Sequence, residues 1–227
     1  MKHSDAVRFL VLRTIGNFLV LFSVFGILAT FGPAIYYEVA YNVVQARGVH
    51  YAIVQNSNNQ LSGGTASFAD VLAGAKEQVL VPKDSSFSIV IPKIGASAKV
   101  FPNVDVSNQD LFLPILMKGV AHAAGTVFPG MNGNVYLFAH STDNFWDVGR
   151  YNAVFYLLKN LTKGDEVVIF YQNKRYNYIV TGSKIVGPSD ISDLVNSQNK
   201  NKQQLVLQTC WPPGTTLQRL LVFAQPK

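Results

Sequence analysis

Apolar positions along the chain fall into two regimes. From Thr14 to Tyr37 the sequence TIGNFLVLFSVFGILATFGPAIYY carries no charged residue. A spanning helix needs about 20 apolar residues, so this stretch predicts a transmembrane anchor at 14–37. Lys2, Arg8 and Arg13 precede it and Glu38 follows it. That flank predicts a cytoplasmic N-terminus at 1–13, with everything beyond residue 38 outside the membrane. A cleaved signal peptide is the alternative. Its apolar region would be only about 7–15 residues and would end in a small-x-small site, whereas here Pro33, Ala34 and Ile35 lead into Tyr36 and Tyr37.

The second regime begins near residue 84. Residues 38 to about 54 read as a helical continuation above the membrane, and 55–67 (QNSNNQLSGGTAS) as a polar, flexible linker. Residues 68–81 carry weak helical periodicity. Together 38–83 form a stalk. Beyond it come short runs rich in Val, Ile, Tyr and Phe, bounded by Gly, Pro, Asn and Asp: 87–92, 98–101, 134–140, 166–172, 175–186, 204–210 and 219–224. Their length and punctuation predict an all-β sandwich or barrel. Tyr171 to Arg175 reads as a hairpin turn, and Gly182 as a point where the long run bends or splits. Two helical insertions are expected, over AVFYLLKNL (153–161) and around 190–196. The outer domain, 84–227, therefore reads as mainly β, a barrel with short helical insertions.

Composition adds two constraints. The 227 residues are 48% hydrophobic but only 14% charged, and mean hydropathy is +0.18. An average globular domain has roughly 25% charged residues, so the surplus apolar content needs a place such as the anchor. The net charge of +6 invites a nucleic-acid reading, but Lys and Arg are scattered singly. A mildly basic face toward an anionic membrane or cell wall fits better, and no nucleic-acid partner is expected.

Cys210 is the only cysteine, which excludes an internal disulfide and a multi-cysteine metal site. A free cysteine is commonly a small buried hydrophobe; in an exported chain it is also a flag for reactivity. Position favours the second reading. Cys210 ends the run Leu205-Val-Leu-Gln-Thr-Cys, and Trp211-Pro-Pro-Gly then takes the chain off the sheet. Arg219 opens the next run. If the two strands pair antiparallel, Arg219 returns beside Cys210, where a fixed cation favours thiolate and holds an oxyanion; a solvated rim charge is the alternative. A cysteine nucleophile also needs a proton carrier. Of the four histidines, His3 is cytoplasmic and His50 lies in the stalk. His122 sits in a Gly/Ala loop, while His140 ends the run NVYLFAH, a position like that of Cys210.

These residues resemble the sortase family of cysteine transpeptidases. LVLQTCWPPGTTLQRLLVFA is similar to the sortase segment in which the nucleophile closes a Thr-Leu-x-Thr-Cys motif and an Arg follows on the next strand. Leu207, Gln208, Thr209 and Cys210 match its last four positions, and Arg219 matches the Arg. GVAHAAGTVFPGMNGNVYLFAHS resembles the stretch leading to the family's catalytic histidine, which falls on His140. IPKIGASAKVF resembles the first barrel strands. The resemblance spans about 85–225. Val206 replaces the family's first Thr and Ala139 a frequent Gly, and neither change removes a catalytic group. Cys-Trp-Pro-Pro-Gly is more like the smaller, N-terminally anchored class D and E-like sortases.

The resemblance implies a closed sortase-like β-barrel behind one transmembrane helix. It implies that Cys210 attacks a Leu-Pro-x-Thr-Gly-like C-terminal sorting motif of a surface protein and holds the acyl group as a thioester. His140 would move the proton, Arg219 would stabilise the oxyanion, and Thr209 would help line the substrate site. The acyl group would pass to an amine acceptor, a peptidoglycan precursor or a pilin, at the cell membrane. His122 is assigned to packing. No metal or cofactor is required; some sortases bind calcium, and the chain shows no clustered carboxylates that demand it. Two other readings compete: another extracytoplasmic cysteine peptidase or wall hydrolase, and a non-catalytic membrane-tethered β-domain with an inert cysteine. The 185–204 segment is where acceptor choice is expected to be encoded.

Overall fold

The computed structural model describes residues 3–53, 77–141, 154–195 and 202–227. The chain divides into two units, Met1–Val43 and Val44–Lys227. Helix α1 (His3–Ala46) makes up nearly all of the first. Its segment Val7–Ala29 is long and apolar enough to cross a membrane, by length and composition.

Helical reading beyond the anchor is correct only as far as Ala46. Gly48 stands at φ 65°, a left-handed conformation that glycine adopts without steric cost, and Val49 N donates back to Val44 O at 3.2 Å. That arrangement closes a helix rather than extending it. Strand β1 (His50–Ile53) follows and pairs in parallel with β2 (Glu77–Leu80). The end of the expected 68–81 helix is thus a strand. The rest of that segment and the expected linker at 55–67 lie outside the described residues.

The remaining strands are β3 (Phe87–Ile91), β4 (Ala96–Val104), β5 (Val120–Ala123), β6 (Gly133–Phe138), β7 (Glu166–Tyr171), β8 (Lys174–Val186), β9 (Gln203–Trp211) and β10 (Gln218–Pro226). They close into a barrel in the order β10-β8-β7-β3-β4-β5-β6-β9. The expected hairpin joins β7 to β8, with Gln172 and Asn173 both at positive φ. The long run does not split at Gly182. It forms one 13-residue strand, with a register shift against Phe223 and Ala224 that absorbs one extra residue. Strand β5 is not among the expected runs. It lies between β4 and β6, and Gly119 begins its approach, because a Cβ there would collide with the Lys99 carbonyl oxygen.

All six residues of β6, GNVYLF, are buried. A strand covered on both faces loses the polar/apolar alternation of an exposed sheet. Val135 and Leu137 lie on one face; Tyr136 and Phe138 lie on the other, with Val104, Ala121, Ala123, Val206 and Leu221. Helix α2 (Gln109–Leu116) packs on that second face through Leu116, with Phe112 and Ile115 beside it, so it is the outer face of the barrel. The Asn108 side chain accepts from Asp110 N at 3.1 Å and starts this helix. The two expected helical insertions are short: a 3-10 turn at Tyr156–Asn160 and helix α3 (Ser192–Val195).

Candidate active site

Three adjacent strands set the geometry. Strands β6 and β9 run parallel with Phe138 opposite Gln208, so the same register carried two residues further brings His140 abreast of Cys210. Strands β9 and β10 run antiparallel with Arg219 directly opposite Cys210. Neighbouring strands lie about 4.8 Å apart, and opposed positions share a face. The three side chains therefore form a row across the outer face of the barrel, in the order His140, Cys210, Arg219.

That row opens into a groove of about 300 Å³. His140, Thr209, Cys210 and Arg219 all line it. The floor carries Tyr136, Phe138 and Gln208. One wall is α2, with Phe112, Leu113 and Leu116; the other is the β8–β9 connection, with Pro188, Asp190, Ile191 and Leu194. Phe112 meets Phe138 edge to face at 5.9 Å, fixing α2 beside the strand that leads into His140. The second wall is tied down by Lys184, whose Nζ lies 2.6 Å from Asp193, and by Asn134 Nδ2, which donates to the Asp193 carbonyl at 3.1 Å.

Cys210 is half-buried, as a reactive thiol must be to meet both substrate and base. Arg219 Nη1 donates to Thr216 O at 3.1 Å and to Gln218 O at 3.0 Å. These bonds hold one arm of the guanidinium against the β9–β10 turn and leave donors on the other nitrogens. Thr209 is only 3% exposed. Its hydroxyl donates to Ala139 O at 3.0 Å, and Ala139 N donates to Gln208 O at 3.2 Å. What Thr209 gives the site is thus position: it fastens the residue before His140 to the residue before Cys210.

A family model described as Sortase domain matches residues 89–227. The chain belongs to the sortase family. Sortase D of Bacillus subtilis (strain 168) is 27% identical over 138 residues, covering 60% of each chain, so the match spans about 60% of the length of that curated relative. Among solved structures, the pilus-related sortase C of Group B Streptococcus is 30% identical with a TM-score of 0.52, covering 64% of this chain and 68% of that one. Sortase C-1 from Actinomyces oris is 26% identical with a TM-score of 0.53, covering 64% and 76%. The Clostridium perfringens sortase C solved with the C-terminal cell wall sorting motif is 29% identical with a TM-score of 0.50, covering 62% and 69%. The closed barrel is thus the sortase fold.

His122 lies apart from the sortase groove. It is fully buried and stacks on Phe128 at 4.6 Å. Its Nδ1 accepts from Asn103 N at 3.3 Å, so its proton sits on Nε2, which faces Val127 O and Thr126 Oγ1, each at 3.0 Å. Burial pushes its pKa down, and the bond to Val127 opposes that only in part. A neutral buried histidine favours the fold above its unfolded pKa, and the benefit is lost as pH falls below it. Stability of the wild-type barrel, read as the urea midpoint, is therefore expected to drop as pH goes from about 6.5 toward 5. The His122→Gln variant should lose less over the same interval. Equal losses would remove His122 as the cause.

Tyr136 and Gln208 join the site without having been singled out by the sequence pattern. The available signal was period two: 136, 138 and 140 share one face of a strand, as do 206, 208 and 210. Burial, reinforced by the charges of Asp193 and Asp190, holds the Tyr136 phenol above its ordinary range. Hydrogen bonds from Ser192, with the charge of Lys184, hold the Asp190 carboxyl below its own.

One prediction concerns the Thr209 fastening. Thr209→Val keeps the shape and removes the hydroxyl, and should cost about 1–3 kcal/mol of stability. Because Ala139 leads directly into His140, kcat should fall as well, and Thr209→Ser should restore both. Urea titration and steady-state assay of the two variants give the answer.

Proposed function

We propose that this sortase is a membrane-anchored cysteine transpeptidase acting on surface proteins with a Leu-Pro-x-Thr-Gly-like C-terminal sorting motif. The observation that carries this reading is the row of His140, Cys210 and Arg219 at the end of one apolar groove. In this reading Cys210 Sγ attacks the Thr carbonyl carbon. Arg219 donates to the oxyanion of the tetrahedral intermediate. The C–N bond breaks as His140 delivers a proton to the departing glycine amine, leaving a thioester. An acceptor amine then attacks the thioester and gives its proton to His140, and the C–S bond breaks to return Cys210. A thioester is reactive enough to store the acyl group for transfer.

The similar C. perfringens sortase C was solved together with the C-terminal cell wall sorting motif, which supports the choice of donor substrate. The apolar Val7–Ala29 segment, with Lys2, Arg8 and Arg13 all toward its N-terminal end, supports a single-pass anchor with a cytoplasmic N-terminus, a stalk at 38–83 and the catalytic domain at 84–227 outside. There the domain meets an amine acceptor, a peptidoglycan precursor or a pilin. The test is covalent. The protein is incubated with a library of sorting-motif peptides, quenched in acid and digested. Expected is an acyl adduct on the peptide containing Cys210, lost on treatment with hydroxylamine. An adduct on no peptide, or on another residue, would overturn the proposal.

A further inference from the structure

The floor of the groove is apolar except at one point. Tyr136 is 3% exposed, and its hydroxyl hydrogen needs an acceptor that water does not provide. Its Oη meets Gln208 Oε1 at 2.5 Å. A buried phenol with that single partner donates to it, which fixes the carboxamide: Oε1 faces Tyr136, and the NH₂ group is on the other side. The phenol stays protonated, because burial and the Asp193 and Asp190 charges all oppose its ionisation. Gln208 itself is half-buried and lines the groove, two residues before Cys210 on the same strand face. Among the described residues no partner meets its amide nitrogen.

A carboxamide held rigid beside a nucleophile, with its oxygen satisfied and its donors unused, suits one kind of ligand group: a hydrogen-bond acceptor that enters along the strand direction. The peptide backbone supplies such an acceptor at every residue, whatever the side chains. Much of the groove lining is apolar, with Phe112, Leu116, Phe138 and Leu194. An entirely apolar occupant would cover the NH₂ group and leave it unpaired, which is more costly than a weak bond. We propose that Gln208, oriented by Tyr136, is a substrate-binding residue that donates to a backbone carbonyl of the peptide upstream of the scissile bond. Tyr136 is its positioning residue. The inference rests on reading the groove as the peptide site.

The test measures binding without chemistry. Full-length protein carrying Cys210→Ala, in detergent micelles, is titrated against a labelled Leu-Pro-x-Thr-Gly peptide, and Kd is read by anisotropy. Adding Gln208→Glu keeps the size and the acceptor for Tyr136 but removes the N–H donors. Kd should rise about tenfold while the urea midpoint holds. Gln208→Met, which adds no charge, should raise Kd similarly, with a lower urea midpoint because the Tyr136 hydroxyl loses its acceptor. Tyr136→Phe frees the carboxamide to turn and should give a smaller rise of about threefold, with kcat of the otherwise wild-type enzyme little changed and its KM raised. If both Gln208 variants bind as tightly as the Cys210→Ala parent, Gln208 is only structural and the inference falls. If the wild type acylates and Gln208→Glu lowers kcat without moving KM, it falls too. A wild type that neither binds nor is acylated by any sorting peptide overturns the proposed function first, and this inference with it.

Discussion

Cys210→Ala is expected to abolish cleavage of a sorting-motif peptide. Removing a covalent nucleophile from a preorganised site costs roughly 10⁶-fold in turnover, because the remaining residues keep the binding but lose the acyl-enzyme route. Here the loss should be complete within detection, since no second thiol exists in the chain. Peptide affinity should be retained, because the groove is built by α2, the β8–β9 connection and the β6–β9 floor rather than by the sulfur. The same thiol is half-buried and opens to the groove. Iodoacetamide should therefore label native protein, and a bound sorting peptide should slow the labelling. A Cys210→Ala protein with full activity would remove Cys210 as the nucleophile, and a native thiol that never alkylates would favour a non-catalytic domain.

His140→Ala should lower kcat by about 10²–10⁴, the range typical of losing a general acid–base. The informative comparison is His122. Both histidines lie in the stretch that resembles the family's histidine segment, and both follow a Val or a Phe and an Ala in sequence. Their surroundings differ. His140 lines the groove in the same row as Cys210, whereas both nitrogens of His122 are committed to Asn103, Thr126 and Val127 inside the barrel. His122→Ala is accordingly expected to lower the unfolding midpoint while the surviving folded fraction keeps near wild-type kcat. A dead His122→Ala beside an active His140→Ala would reverse the assignment. The two variants are compared at equal folded concentration, by active-site titration against a fluorogenic peptide.

How far the sequence could be read depended on where the information lies. The barrel strands with β-branched and aromatic runs, such as FSIVI and EVVIFY, were legible because their centres are buried on both faces and the runs are mostly apolar. Strand β5, VAHA, was not: its residues have little β preference of their own, and its place comes from pairing with β4 and β6. Helix α2 carries Pro114 in its interior, which argues locally against a helix; the Asn108 cap and the packing of Leu116 outweigh it. Of the site, Cys210 and Arg219 were readable as neighbours from one hairpin. Apart from the family resemblance, the meeting of His140 with Cys210 was readable only as a likeness of position, since a parallel pairing between residues 70 apart leaves no local trace. The family resemblance implied a substrate-lining role for Thr209. Its bond to Ala139 depends on the strand from the other half of the domain.

The parallel pairing of β6 with β9 also bears on when the site exists. A parallel pair requires a long crossover, and here that crossover contains β7, β8 and α3. Strand β9 follows those elements in sequence, and β10 closes the barrel against both β8 and β9. Loop closure over such a separation is slow relative to local hairpins. Cys210 follows His140 in sequence across that crossover, and Arg219 follows Cys210 on the next strand. A chain short of β9 and β10 thus holds no assembled row of His140, Cys210 and Arg219. Reactivity at Cys210 becomes a report that the barrel has closed, and an unfinished or misregistered chain is inactive by construction.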